Sequence, residues 1–280
     1  MPALSFAPEY LRHSLLGIAG ICPKKFKYLD QARRQGKTSD LSAKDYIIIG
    51  SGLDAGLGCL WSQNWDLTQA LEKATQVLLI EAQRLAIEAQ SRVFELVQAG
   101  IRDYASHWTL ARWHEIVAVH PYLDPRTRAD WLYVPFANGG NGTEPILMMP
   151  DLVVRHNGYL TVVDHKTSGK PYVAESWEFS TQLLSYCYVL QERFPNEAIL
   201  YQVDYLKRPS RKDDDRWLFP PTEPFVFTAQ KAEAIFAWMF ERCTAINRAR
   251  RAAAPLRNPD ACYGWEPCEF LQECWDGGGD

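Results

Sequence analysis

Met149-Pro150-Asp151-Leu152-Val153-Val154-Arg155-His156-Asn157-Gly158-Tyr159-Leu160-Thr161-Val162-Val163-Asp164-His165-Lys166-Thr167 is the stretch whose reading decides the fold of this chain. Two short apolar runs flank Asn157-Gly158, a dipeptide that tolerates the positive φ of a two-residue hairpin turn. With those two residues as the loop, His156 pairs with Tyr159, and counting back puts Asp151 directly opposite Asp164. Cross-strand partners share a face, with Cβ atoms roughly 4.5–5.5 Å apart. Two carboxylates so placed repel each other unless a proton or a cation stands between them. Lys166 returns to the same face because strand side chains alternate. The hairpin therefore predicts two carboxylates and an ammonium converging at its end, which is a metal-site pattern. A hairpin with charged ends in water is the plainer alternative. Here, however, the acids end the apolar runs Leu152-Val153-Val154 and Leu160-Thr161-Val162-Val163, and a charge at the end of a buried strand needs a partner. A three-residue loop would shift the register and separate the two aspartates.

The whole chain bounds what surrounds this hairpin. Its 280 residues suffice for one large domain or two small ones, and 47% hydrophobic with 23% charged residues is a globular composition. No apolar run approaches the roughly 20 residues of a membrane span. The first residues lack the basic start and apolar core of a signal peptide, so a cytoplasmic protein is expected. A net charge of −4 neither announces nor excludes a nucleic-acid partner. Seven cysteines (22, 59, 187, 243, 262, 268 and 274) are an odd number, and in a cytoplasmic chain those that cluster point to metal rather than disulfides.

Residues 1–40 read as short helices carrying Lys24, Lys25, Lys27, Arg33 and Arg34, either a solvated surface or a phosphate-contacting arm. Ile47-Ile48-Ile49-Gly50-Ser51-Gly52 imitates a dinucleotide-binding turn. That motif requires a second strand ending in an acid about 20 residues on. Instead Leu67, Leu71, Ala74, Leu78, Ala82, Leu85, Ala89, Val93 and Leu96 recur at helical spacing, as one long helix or two stacked end to end. The glycines then serve close packing at a helix start and present Asp54 towards the interior. A strand is expected over Glu115–His120, with Glu115 structural, and a loop or hairpin insertion over 124–146. Beyond the hairpin come a helix over 175–193 with Gln182 and Tyr186 one turn apart, strands over Ile199–Leu206 and Trp217–Phe227, and a last helix over 229–252.

The tail spaces Cys262, Cys268 and Cys274 evenly, five residues between neighbours, a pattern that favours metal ligation. A four-coordinate site needs one more thiolate. Cys59, Cys187 and Cys243 fall in apolar helical settings, which leaves Cys22, beside Pro23 and a basic run, as the better candidate.

Pro150-Asp151, then Asp164-His165-Lys166-Thr167, then Gln182-x-x-x-Tyr186 resemble the ordered motifs of the PD-(D/E)XK nuclease superfamily, in its RecB-like and CRISPR-associated exonuclease branch. The resemblance runs over nearly the full length. It implies an α/β, restriction-endonuclease-like mixed central sheet flanked by helices, with a helical N-terminal half and a cysteine-clamped tail. One domain over 1–280 is expected: 1–107 mainly helical, 108–228 the catalytic sheet and helix, 229–280 a helix and the cysteine-rich tail. The implied activity is metal-dependent DNA hydrolysis, by an exonuclease on single-stranded ends. An endonuclease or flap nuclease of the same fold, and a catalytically silent DNA-binding module with a metal–cysteine clip, are the alternatives. Asp151, Asp164, Asp54 and the His165 backbone carbonyl would ligate Mg²⁺ or Mn²⁺, oxygen donors suiting hard cations. Lys166 would orient the attacking water, with Gln182 and Tyr186 positioning DNA or water. Cys22, Cys262, Cys268 and Cys274 would hold a [4Fe–4S] cluster, or zinc. Asp54 stands where many relatives carry His, and five residues between Cys262 and Cys268 exceed the usual two.

Overall fold

Positive φ at two successive residues starts the architecture. Asn157 (φ 49°) and Gly158 (φ 82°) form the tight turn, and its twist matches that of the strands it joins. The computed structural model describes residues 11–12, 18, 21–34, 45–84, 91–119, 133–137, 143–147, 150–209 and 216–252. The strands are β1 (Leu11–Arg12), β2 (Glu115–Val119), β3 (Tyr133–Ala137), β4 (Thr143–Leu147), β5 (Leu152–His156), β6 (Tyr159–Ser168), β7 (Ile199–Lys207) and β8 (Phe225–Val226). The helices are α1 (Pro23–Arg34), α2 (Asp45–Ser62), α3 (Leu67–Arg84), α4 (Ser91–His107), α5 (Glu175–Glu178), α6 (Thr181–Arg193) and α7 (Ala229–Arg251), with a 3₁₀ turn at Leu110–Arg112.

The chain divides into two compact units. The larger comprises Ser42–Asp130 and Met149–Ala232 and carries a five-stranded sheet in the order β2-β5-β6-β7-β8. β5 and β6 pair antiparallel from Leu152↔Val163 to His156↔Tyr159, the register that a two-residue loop demands. β6 and β7 run parallel from Leu160↔Ile199 to Ser168↔Lys207, so the sheet is mixed. Leu152, Val153 and Val154 are all buried, as are Leu160 through His165, and both faces of these strands are therefore covered.

Helices α2, α3 and α4 supply the core on one side, with Leu53, Leu57, Leu60, Leu78, Ile101 and Tyr104 fully buried. The glycines of α2 seat them. A Cβ at Gly52 would lie 2.8 Å from Leu78 Cδ2 and 3.1 Å from Val97 Cγ1; one at Gly56 would lie 2.3 Å from Ile101 Cδ1. Gly50-Ser51-Gly52 thus lies inside a helix that begins at Asp45, not at a helix start, and no strand–turn–helix unit forms there. The residues after it do not build helices stacked end to end. α3 and α4 lie side by side, joined by Gln98 Nε2 donating to Thr75 Oγ1 at 3.3 Å.

Two further expectations are revised. Residues 175–193 break into two helices, because Ser180 caps the second by accepting from Leu183 N. Only β8 and a bridge between Leu218 and Lys207 form over 217–227. Pro220, Pro221 and Pro224 cannot donate to a ladder.

The smaller unit comprises Met1–Leu41, Trp131–Met148 and Glu233–Asp280. Its sheet has the order β1-β4-β3, and the β3–β4 hairpin is the insertion foreseen over 124–146. Part of its basic character is spent internally. Arg250 Nε and Nη2 donate to Asp30 at 2.9 and 3.0 Å, and Lys27 Nζ donates to Ala252 O at 2.9 Å.

Candidate active site

At the C-terminal half of β6 the strand's alternation sends successive charges to opposite faces. Asp164 and Lys166 share one, and Lys166 Nζ lies 2.5 Å from Asp164 Oδ2. This is a tight ion pair between a buried carboxylate and a partly buried ammonium. Nζ also donates to Gln182 Oε1 at 3.1 Å, and Gln182 Nε2 donates to Tyr186 Oη at 2.8 Å. The helical pair foreseen from the one-turn spacing therefore reaches the lysine in series. Burial and then the nearby Asp164 push the Tyr186 hydroxyl well above its usual range.

Asp151, just ahead of β5, bends to accept the His165 N–H with Oδ2 at 2.6 Å. Burial, then Asp164 and Asp54, raise its carboxyl well above the ordinary value, with Lys166 acting in the opposite sense. Asp54 enters from α2, its carboxyl raised to about 7 by burial and, to a smaller degree, by Asp164 against the lowering effect of Lys166. Burial alone would lower the Lys166 ammonium; Asp164 and Asp151 outweigh it and raise its pKa. Three acids therefore sense one lysine and each other. Like-charged carboxylates in a buried site require a proton or a cation between them.

On the opposite face of β6 the His165 side chain is buried, as alternation predicts. It lies between two acids, with Nδ1 3.6 Å from Asp151 Oδ2 and Nε2 3.7 Å from Asp204 Oδ2. Asp204, directly across on β7, is clamped. Arg112 donates to both of its oxygens, at 2.8 and 2.9 Å, and Tyr104 Oη donates at 2.6 Å. Although burial opposes it, the Arg112 guanidinium holds the Asp204 carboxyl below its ordinary value. Arg112 itself stacks on Trp108 at 3.7 Å and Trp113 at 4.5 Å. No sequence motif announces this cluster. Its signal was available: an acid inside the apolar run Leu200–Leu206 must have a partner.

Glu115 does not join the acids. It pairs with Arg155, which also binds Glu197, at the exposed edge of the sheet. Cys22 is buried, and its sulfur accepts from Lys25 N at 3.4 Å, while Cys59, Cys187 and Cys243 are buried in helices. Cys262, Cys268 and Cys274 lie outside the described residues.

Among the described residues no three His, Cys, Asp or Glu side chains stand close enough together to enclose a metal ion. The donor set nonetheless fits a hard divalent cation. All its atoms are oxygens, and the excess of carboxyls over the one ammonium is the negative charge that such an ion neutralises.

A mixed five-stranded sheet with helices packed on it is the restriction-endonuclease-like α/β fold. The chain belongs to the PD-(D/E)XK nuclease superfamily, whose family model matches residues 18–274. It is a nuclease by family and a phosphodiester hydrolase by the same criterion. Among solved structures it is similar to a protein of Eubacterium rectale described as a candidate exonuclease, with a TM-score of 0.52 and 11% identity over 94% of this chain and 91% of that one. At that identity the likeness shows the fold. No curated protein matches the chain. No helix among the described residues is long and apolar enough to cross a membrane.

Proposed function

We propose that the chain is a metal-dependent DNA exonuclease of the RecB-like and CRISPR-associated branch, acting on single-stranded ends in recombination, repair or phage and CRISPR DNA processing. The observation that carries this reading is the joining of Asp164, Lys166, Gln182 and Tyr186 in one bonded series beside Asp151. Asp151, Asp164, Asp54 and the His165 carbonyl would hold Mg²⁺ or Mn²⁺. Such a cation supplies charge neutralisation at the phosphoryl oxygens and a more acidic attacking water.

The remaining chemistry belongs to the chain's own groups. Lys166, raised in pKa by its acids, stays protonated at neutral pH and offers a fixed positive charge to a phosphodiester drawn into the site. Gln182 fixes its ammonium, and Tyr186 fixes the amide of Gln182. The His165 N–H orients Asp151, so that acid is aimed by backbone rather than by a mobile partner. Water orientation at Nζ follows from the same restraint.

The test is degradation of end-labelled DNA with Mn²⁺, on linear single strands, linear duplexes and closed circles. Linear single strands should be consumed and circles spared, and Lys166→Ala should lower the rate by at least ~10²-fold. Equal activity in that variant would remove the hydrolytic assignment; cleaved circles would replace exonuclease with endonuclease. By the same family likeness we assign Cys22, Cys262, Cys268 and Cys274 to a [4Fe–4S] cluster. Anaerobically purified protein should then absorb broadly near ~400 nm, and a colourless protein with stoichiometric zinc refutes the cluster.

A further inference from the structure

At the C-terminal ends of β6 and β7, a groove of about 640 Å³ is lined by His107, Tyr172, Lys207, Trp217 and Phe219 among others. Its lining is mostly aromatic and apolar, with one lysine, Lys207. The His107 and Phe219 rings lie 5.3 Å apart and 37° from parallel. Both residues keep exposed surface, whereas Trp217 is core, its Nε1 donating to Leu96 O at 3.0 Å. Tyr172 Oη is buried without a hydrogen-bond partner, as is the Nε of Arg208, the residue that follows Lys207. Unmade hydrogen bonds at buried donors are costly, and a ligand that accepts them relieves the cost. Among the described residues no acid pairs with Lys207 or Arg208.

The groove reaches the strand ends beside the candidate active site through Tyr172 and Lys207, while Phe219 packs on Tyr104, whose hydroxyl bonds Asp204 on the other face. Tyr172 packs against Tyr205 with ring centroids 5.4 Å apart, and Tyr205 stands directly across from Lys166. Lys207 stands across from Ser168, which lies two residues beyond Lys166 on the same face, about 7 Å along the strand. Arg208 N donates to Ser168 O at 2.9 Å, fixing the start of the segment that carries the cations. Aromatic planes with adjacent unpaired cations suit unpaired bases on a phosphate backbone, since every base has a π face and every linkage a negative charge. A duplex hides those faces.

We infer that this groove binds the unpaired nucleotides of single-stranded DNA next to the scissile phosphate, with Tyr172 and Phe219 stacking on bases and Lys207 and Arg208 contacting phosphates. The inference rests on the nuclease reading for the identity of its ligand and on the groove itself for the strand preference. Recognition of this kind selects single strands by shape of the base and not by sequence.

Binding of labelled oligothymidine and of a blunt duplex to the full chain, in EDTA so that no cleavage intervenes, tests it by fluorescence anisotropy. Tyr172→Leu with Phe219→Leu keeps apolar bulk and removes the stacking planes. Single-strand affinity should fall about tenfold or more, with duplex affinity changed less than twofold. Lys207→Gln should flatten the slope of log affinity against log salt by about 0.7 for the single strand. Unchanged single-strand affinity in the double variant, or an equal loss on duplex, overturns the inference, as does a wild-type chain that does not bind oligothymidine. A chain that binds in this manner yet cleaves no DNA with Mn²⁺ keeps the groove and loses the hydrolytic assignment. A thermal melt of each variant within a few degrees of wild type separates lost stacking from lost folding, and Tyr172→Phe should retain single-strand binding within about threefold.

Discussion

Strands β6 and β7 carry two buried acid clusters, one on each face of the sheet, and the two balance charge in opposite ways. Around Asp204 the account closes. A bidentate guanidinium and a phenol satisfy both oxygens, and Arg112 keeps the carboxyl ionised below its usual range. Around Asp164 it stays open. Asp54, Asp151 and Asp164 share one ammonium, and the Asp54 and Asp151 carboxyls are raised. His165 sits between the clusters with a nitrogen turned to each. Closed clusters hold a fold together, while open ones are kept where a cation or substrate completes them.

Matching substitutions on the two faces break this comparison most sharply. Asp164→Asn should lower metal-dependent DNA cleavage by ~10³-fold or more while leaving the melting temperature equal or higher, because it removes like-charge repulsion. Asp204→Asn should do the reverse in stability. Breaking a buried pair strands the Arg112 charge and costs roughly 3–5 kcal/mol, a fall in Tm of ~10 °C by calorimetry. If Asp164→Asn melts lower and Asp204→Asn does not, the assignment of roles is inverted.

A smaller effect follows from acidity. Asp54 is raised to about 7, so between about pH 4 and 7 the native state binds a proton that the unfolded chain has released. Stability of the metal-free protein should therefore be greatest below that window and decline as pH rises through it. Asp151, also raised, adds to the same slope. Melting curves from pH 5 to 8 in EDTA should show the decline, and Asp54→Asn should flatten part of it. Millimolar Mn²⁺ should restore the loss at pH 8. A flat profile in EDTA would mean that the acids do not share one field.

The legibility of these clusters from sequence was unequal for a physical reason. Asp151, Asp164 and Lys166 lie within sixteen residues, and a turn that needs two positive φ values fixes their register; local rules suffice. Gln182 and Tyr186 were readable as a face because helical spacing is periodic, though their link to Lys166 depends on how α6 packs. The Asp204 cluster draws Arg112 from 92 residues away and Tyr104 from 100, distances over which no periodicity speaks. For the same reason α3 and α4 were indistinguishable from one long rod. Helices side by side and helices end to end have the same repeat, and only the Gly52 and Gly56 notches decide between them. No continuous strand runs over 217–227, because Pro220, Pro221 and Pro224 cannot donate to a ladder.

The turn at Asn157-Gly158 also orders events in time. A hairpin closes in about 1–10 μs, whereas the parallel pairing of β6 with β7 must first close the long crossover through α5 and α6. The hairpin alone sets Asp151 opposite Asp164, whereas Asp54 and Gln182 reach the site only when α2 and α6 pack against it. The repulsion between the first two acids belongs to the assembling chain as much as to the finished site. Any positive charge that comes between those two acids relieves a repulsion built into the turn itself, so folding of the hairpin and occupation of the site are coupled through one pair of side chains.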